Sequence, residues 1–294
     1  MFDFGGADSD VVLDICTKCD KEKKIEYIWF DTGLEYQATK DHLKYLETRY
    51  GIEIKAFKAI KPIPVCCKKY GQPFISKNVS EFIYRLQRHN FQWEDEEYEM
   101  LIKRYPKCQS ALEWWCNKKK SIRLSIGANK WLKEYMIQNP PDFKISNKCC
   151  QYAKKDVAHK AIEANGYDLS ILGVRKAESG VRSVAYKSCF DCNDNGCDEY
   201  RPVFWYEDAD KKDYQSSFEI INSLCYSEYG LKRTGCAGCP YNKRFEEELR
   251  VIEEHEPKLY KAVNHIFKES YEYTRKYRIF ANEMNEKEKS RKVN

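Results

Sequence analysis

The first sixty residues alternate between two hydrophobic periods. Phe2 to Phe4 form a short apolar run that predicts a strand, and the spacing of Val11, Val12 and Ile15 predicts the helix after it. Ile25 to Phe30 is a continuous apolar and aromatic run, the pattern of a strand buried on both faces, and it closes on Asp31, Thr32 and Gly33. A second helix is expected from about Ala38 to Tyr50, with Leu43 and Leu46 turned inward and Gly51 stopping it. The segment "IEIKAFK" then alternates like a strand. Strand, helix, strand, helix, strand means βαβ units with right-handed crossovers, hence a parallel sheet in an α/β fold. Ligands of such sheets bind beyond the carboxyl ends of the strands.

From about residue 71 to 146 the pattern changes to aromatic-rich helical spacing with no convincing strand, which predicts a helical insertion ended by Pro140 and Pro141. Its Trp114, Trp115 and Trp131 are expected to anchor a core or an interface, since aromatic residues at helical spacing usually bury themselves. Asp168 to Val174 restores the sheet, and the strand ends near Gly173, Arg175, Glu178, Ser179 and Arg182. The last fifty residues carry Leu249, Ile252, Leu259 and Val263 at helical spacing among many Glu and Lys, and read as a helical appendage with a solvated basic tail. The chain thus divides into a βαβ part (1–70), the helical insertion (71–146), the remainder of the α/β domain with a cysteine-rich site (147–242) and the appendage (243–294).

Two strand ends carry candidate chemistry. After Phe4, the pair Gly5 and Gly6 leads into Asp8 and Ser9 at the start of a helix. Glycines let backbone approach a ligand, and the free N–H groups and dipole of a helix start attract phosphate. An ordinary strand-to-helix turn has the same appearance, and neither G-x-x-x-x-G-K-[ST] nor G-x-G-x-x-G is present. Asp31 lies at a second carboxyl end. Arg175 and Arg182 lie beyond a third, where the guanidinium fork suits phosphate or sulfate; solvent-facing pairing with Glu178 is the plain alternative.

Composition narrows the chemistry. A chain of 294 residues can bury a full core, and it shows neither a signal peptide nor an apolar run long enough for a bilayer, so it is read as soluble and cytoplasmic, with no membrane partner. A net charge of +5 with both signs mixed along the chain permits nucleic acid or nucleotide without arguing for either. In a reducing compartment, fourteen cysteines point to metal, iron–sulfur or thiol chemistry. Cys149 and Cys150 are adjacent, and Cys236 and Cys239 form C-x-x-C before Pro240. Neighbouring thiolates crowd one tetrahedral zinc but can reach separate irons of a cubane, so this set suits a [4Fe–4S] cluster better than one Zn. Cys189, Cys192 and Cys197, with Cys225, could form a separate zinc site or be free thiols in a tight turn. Cys16, Cys19, Cys66 and Cys67 are taken as structural. The five histidines (His42, His89, His159, His255 and His265) are scattered and receive no role.

Six segments in order, "FGGADS", "FDTGLEY", "NKCC…KK", "GVRKAES…R", "YRPVFWYEDAD" and "YGLKRTGCAGCP", resemble the phosphoadenosine phosphosulfate (PAPS) reductase family of the adenine nucleotide alpha-hydrolase-like (PP-loop) superfamily. The resemblance spans about residues 2 to 245 apart from the helical insertion. It implies a Rossmann-like HUP fold that binds ATP, adenylyl sulfate (APS) or PAPS, with magnesium as an accompanying ion. Phe4, Gly5, Gly6, Asp8 and Ser9 fall on the family's S-G-G-K-D-S loop, Asp31, Thr32 and Gly33 on its D-T-G turn, and Gly173 and Arg175 on its G-x-R segment. Asp8, Ser9 and Asp31 are then the candidate catalytic residues, with Arg182 a further contact to nucleotide. Cys149, Cys150, Cys236 and Cys239 look like the cluster ligands of the iron–sulfur members, which include adenylyl-sulfate reductases and sulfurtransferase-like enzymes of DNA phosphorothioation.

The departures from that pattern matter equally. Phe4 stands where the loop has serine, and Ala7 where it has lysine, which removes a cation from the phosphates. No E-C-G-x-H ending is present, so sulfite release has no obvious attacking thiol. The favoured expectation is an oxidoreductase or sulfurtransferase that binds an adenine nucleotide and works with the cluster and a protein reductant. The alternatives are an ATP-pyrophosphatase-type enzyme of a DNA-modification system and a non-catalytic nucleotide-binding protein with structural zinc. The oligomeric state is not legible in the sequence.

Overall fold

The computed structural model describes residues 1–4, 6–178, 185–193 and 196–293, with Asp3 and Val293 described by their backbone alone. Gly5, Ser179 and Arg182, named above as candidates, lie outside the described residues. The chain divides into two compact units, the first comprising Met1–Ile63, Cys150–Ala237 and Glu247–Tyr260, the second Pro64–Cys149, Gly238–Glu246 and Lys261–Asn294.

The first unit is built on one sheet of six strands: β1 (Phe2–Asp3), β2 (Tyr27–Asp31), β3 (Ile54–Lys58), β4 (Leu169–Leu172), β5 (Phe190–Asp191) and β6 (Asp198–Tyr200). Their spatial order is β3-β2-β1-β4-β6-β5. The pairs β2 with β3, β1 with β2, β1 with β4 and β4 with β6 are parallel, and only β5 runs antiparallel, against β6. The expected parallel α/β sheet is present. Helix α1 (Ala7–Cys19) carries the chain from β1 to β2, and α2 (Gln37–Tyr50) carries it from β2 to β3. Gly51 ends α2 in the left-handed conformation, the stop expected of a glycine there.

Alternation along β2 shows why the strand reads as apolar throughout. Tyr27 packs with Phe2, Val11, Val12, Leu46 and Ile171 on one face, while Ile28 and Phe30 pack with Val157 and Ala161 of the helix Asp156–Asn165 on the other. Helices therefore cover both faces, as in doubly wound sheets. β3 at the edge leaves Lys55, Ala56 and Lys58 exposed. The hairpin β5–β6 was not anticipated; its turn is closed by Asn193, whose backbone N–H donates to Asp198 Oδ1 at 3.0 Å and whose side-chain amide donates to the Cys197 carbonyl at 3.0 Å.

Tyr36 of this unit is fully buried and donates its hydroxyl to the buried carboxylate of Glu248. Burial, with Glu248 beside it, raises the Tyr36 pKa above its ordinary value of 10.0. Burial also raises the pKa of Tyr27 and of Tyr214, which donates to Asp14. Because these folded-state pKa values lie above the unfolded one, their stabilisation is complete below about pH 10 and is lost as pH rises past it, by about 1.4 kcal/mol per pH unit for each phenol. Urea titrations from pH 8 to 11 are expected to show this loss with a shallower slope in Tyr36→Phe; an unchanged slope would contradict the assignment of Tyr36.

The second unit is helical. Ile63–Tyr70, Lys77–Arg88, Tyr98–Arg104, Gln109–Trp115 and Leu132–Gln138 are its helices before residue 149, and among the described residues of that stretch the only sheet-like pairing is one bridge, Gln72 with Ile145. Ser76 caps Lys77–Arg88 by accepting from the backbone N–H of Val79 at 3.2 Å. Trp114 and Trp115 are fully buried in the core with Phe74, Ile83 and Phe91. Trp131 is half-buried, and its indole donates to Asn285 Oδ1 at 2.9 Å. The terminal helix, Pro257–Val293, has 37 residues, and its Tyr273, Tyr277 and Phe280 join the same core. Among the described residues no helix is long and apolar enough to cross a membrane.

Candidate functional site

The order of the strands puts the topological switch at β1 and β4. From β1 the chain moves outward through β2 to β3, then returns to lay β4 on the opposite side of β1. The connections after these two strands diverge, which leaves a crevice at their carboxyl ends. Gly6 follows β1, and Gly173 follows β4. A Cβ on Gly173 would lie 2.7 Å from Ser9 Oγ, 2.8 Å from Ser9 N and 2.9 Å from Ser9 Cα, so only glycine lets the end of β4 approach the start of α1 this closely. A Cβ on Gly6 would lie 2.7 Å from the Tyr226 hydroxyl. That hydroxyl accepts the Ala7 N–H at 3.2 Å and is 2.7 Å from Thr234 Oγ1, which ties the first turn of α1 to the segment 226–234.

Arg175 crosses the crevice. Its guanidinium is 2.9 Å from Asp8 Oδ1 through Nε and 3.0 Å from Asp208 Oδ1 through Nη2, and Nη1 donates to the Tyr206 carbonyl at 3.3 Å. The residue is 6% exposed. Burial works against its charge, but Asp8 and Asp208 outweigh it and hold the Arg175 pKa above the ordinary arginine value. Lys211 Nζ reaches the same Asp8 oxygen at 2.7 Å. Glu178 accepts from the Arg175 backbone N–H at 3.1 Å and pairs with Arg233 at 3.4 Å. These groups line a cavity of about 440 Å³, in which Arg175, Lys211, Lys232 and Arg233 face Asp8, Glu178 and Asp208. That volume is in the range of small-molecule sites.

A second cavity of about 250 Å³ shares Gly6, Tyr226 and Thr234 with the first. Phe4 and Trp29 line it, and so do Asp10 and His42, whose carboxylate Oδ2 and imidazole Nε2 are 3.0 Å apart in a buried couple.

The structure therefore brings together Gly6, Asp8, Ser9, Gly173 and Arg175, and puts Phe4 in the adjoining cavity. Asp31, Thr32 and Gly33 form a second turn, at the end of β2. Asp31 Oδ1 accepts the Gly33 N–H at 2.9 Å, its carbonyl accepts from Ala59 at 2.8 Å, and Thr32 donates to Glu35 at 2.5 Å while its carbonyl accepts from Ile63 at 3.0 Å. Gly33 has φ 78°, and a Cβ there would lie 2.8 Å from Pro62 Cβ. None of the three is among the described residues lining either cavity. Burial pushes the Glu35 carboxyl up, opposed by Lys154 and by the Thr32 bond.

The cysteines are distributed as follows. Cys150 and Cys236 belong to the first unit, Cys149 and Cys239 to the second. Burial pushes the Cys236 thiol up, the Lys154 ammonium opposes this, and Glu35 and Cys150 add to it, so Cys150 and Cys236 are electrostatic neighbours. Among the described residues no group of three or more His, Cys, Asp or Glu stands close enough to hold a metal ion. Cys189, Cys192 and Cys197 flank the strands of the β5–β6 hairpin, while Cys225, on the helix Leu224–Ser227, lies 3.6 Å from Thr39 Oγ1. Arg201 organises that hairpin: fully buried, it pairs with Asp191 at 2.8 Å and with Glu199, donates to the Ser188 carbonyl and stacks on Tyr186. Cys16 is buried, which pushes its thiol up to about 12, in keeping with a structural role.

Tyr226, Thr234, Lys211, Asp208 and the Asp10–His42 couple were not singled out from the sequence. Lys232, Arg233 and Thr234 lie within the quoted segment "YGLKRTGCAGCP" and Asp208 within "YRPVFWYEDAD"; the basic character of Lys232 and Arg233 was the available signal.

No curated protein sequence matches the chain. Among solved structures it is similar to the crystal structure of phosphoadenylyl-sulfate (PAPS) reductase from Candida auris in its phosphate complex, at 15% identity and TM-score 0.41, covering 80% of this chain and 79% of that one. The phosphoadenosine phosphosulfate reductase domain matches residues 2–115, and so reaches into the helical unit that the motif comparison left out. That match bears out the resemblance to the PAPS reductase family read from the order of the motifs.

Proposed function

We propose that the protein binds an adenine nucleotide, ATP or an adenylyl sulfate, with its phosphates in the 440 Å³ cavity between Gly6 and Gly173, and that it carries out sulfur-related redox or sulfur-transfer chemistry. The observation that carries this reading is the convergence of the α1 N-terminus, two glycines at the switch point and four cationic side chains on one cavity. Backbone N–H groups and guanidinium forks are the groups that hold phosphate and sulfate without themselves reacting. Gly173 brings Ser9 against the strand end, and Asp8 orients Arg175 and Lys211.

The four-cysteine set is proposed as the site of a [4Fe–4S] cluster, on the chemistry of its donors, with zinc the alternative. Such a cluster would supply electrons or charge, and no step assigned to the residues here depends on it. Magnesium accompanies ATP in this reading, and a protein reductant is the expected partner. A second reading, nucleotide binding without turnover, is favoured by Ala7 at the first position of α1, where the turn carries no cation of its own. DNA as acceptor belongs to the pyrophosphatase-type alternative.

The test is equilibrium binding of ATP, adenylyl sulfate and adenosine to anaerobically purified protein, with iron, acid-labile sulfide and zinc assayed on the same sample. Micromolar binding of the two phosphorylated ligands and much weaker binding of adenosine are expected. Equal binding of adenosine would remove the phosphate cavity from the account, and a zinc-loaded sample free of sulfide would remove the cluster.

A further inference from the structure

The turn after β1 has no side-chain cation, since Ala7 occupies the first position of α1 and lines the cavity with a methyl group. The cation at this place comes from elsewhere in the chain. The helix Asp208–Ser217 starts in a capping box, in which the Glu207 carboxylate accepts from the backbone of Asp210 and the Asp210 carboxylate accepts the Glu207 N–H at 2.8 Å. This fixes where the helix begins and hence which residues face α1. Asp208, Lys211 and Tyr214 follow at intervals of three, so they share a face. Each meets the cradle or α1: Asp208 pairs with Arg175 at 3.0 Å, Lys211 with Asp8 at 2.7 Å, and the Tyr214 hydroxyl donates to Asp14 at 2.8 Å. One turn further, Phe218 lies under Lys18 of α1, 3.3 Å from its ring centre. The Lys211 side chain is only 18% exposed, so its ammonium is held at the cavity and is not a mobile surface charge.

We infer that Lys211 supplies the phosphate-neutralising charge beside the first turn of α1, next to Arg175, and that it is delivered by the helix Asp208–Ser217 in place of a cation on the β1–α1 turn. This rests on the nucleotide reading above and adds to it a residue that contributes affinity for charge. A compact ammonium suits the role, because it can turn from Asp8 to a phosphate oxygen without losing its place. The contribution is electrostatic, so it grows with the number of phosphates and shrinks with salt.

The test is calorimetric titration with ATP and with AMP at two ionic strengths, on the native chain, Lys211→Met, Lys211→Arg, and Ala7→Lys combined with Lys211→Met. Methionine retains most of the apolar stem and Asp8 keeps Arg175 at 2.9 Å, so the variant should stay folded, with thermal unfolding lowered by the loss of one of the two cations on Asp8. Lys211→Met is expected to weaken ATP about tenfold or more and AMP by about threefold or less, with a flatter salt dependence. Lys211→Arg should keep most of the affinity, and Ala7→Lys should restore ATP binding to Lys211→Met. ATP binding by Lys211→Met equal to the native chain would overturn the assignment and leave the nucleotide reading standing. Failure of Ala7→Lys to restore binding would show that Lys211 serves only to place Asp8, and the substitution of one cation for the other would fall. A native chain that binds neither ATP nor AMP at low salt would overturn both this assignment and the nucleotide reading.

Discussion

Replacing Arg175 by methionine is expected to lower the free energy of unfolding by about 3 kcal/mol and to reduce ATP affinity at least about a hundredfold. The stability loss follows from what remains: Asp8, only 15% exposed, would keep Lys211 but lose the guanidinium at 2.9 Å, and the Tyr206 carbonyl would lose its donor. Breaking one side of a buried pair leaves a charge short of compensation. Asp208 is 80% exposed and would be resolvated by water, so its share of the cost is small. The binding loss follows from position, since Arg175 lies directly beyond β4 at the switch point. Arg175→Lys should recover part of the stability and little of the affinity, because a single ammonium cannot reproduce the fork that spans Asp8, Asp208 and Tyr206. Guanidinium chloride unfolding and ATP titration of both variants measure this; native-like affinity in Arg175→Met would detach the residue from the site.

Gly173→Ala is expected to have an effect of similar size with a different signature. The added methyl would meet backbone atoms of Ser9 at 2.8 Å and 2.9 Å, and backbone cannot rotate away as a side-chain end can. The start of α1 must then shift from β4, at a cost of about 1–3 kcal/mol for overpacking. A displacement of that kind moves the α1 N-terminus away from Arg175, so ATP binding should fall by about tenfold to a hundredfold even where the protein stays folded. Tryptophan fluorescence of the helical unit, whose Trp114 and Trp115 are fully buried, should stay native-like under the same conditions. Native affinity in a folded Gly173→Ala would mean that the close approach serves packing alone.

Most of the sheet was legible because its strands are apolar and separated by amphipathic helices. Ile25 to Phe30 reads as buried on both faces, and it is, with Tyr27 and Ile28 in different clusters. The hairpin β5–β6 was not legible, because Phe190–Asp191 and Asp198–Tyr200 are too short and too polar for a period to emerge. Within the site, Gly6, Asp8, Ser9, Gly173 and Arg175 were readable as residues at strand ends, which is where a parallel sheet puts ligands. Tyr226 and Lys211 were not, since single polar side chains carry no periodic signal and meet the cradle across long stretches of chain. The Ala7 to Tyr226 bond spans 219 residues. His42 was left without a role because its partner, Asp10, is thirty-two residues away. Asp31, Thr32 and Gly33 were readable as a turn at a carboxyl end; they lie two strands from Gly173, and their hydrogen bonds reach Glu35, Ala59, Ile63 and Cys236.

The central claim is that nucleotide phosphate sits on the first turn of α1 between Gly6 and Gly173. Amide hydrogen exchange of the native chain with and without saturating ATP tests it most directly. The account predicts that ATP slows exchange at Ala7 to Asp10 and around Arg175. ATP that binds while slowing exchange only elsewhere, with the α1 N-terminus unchanged, would contradict it.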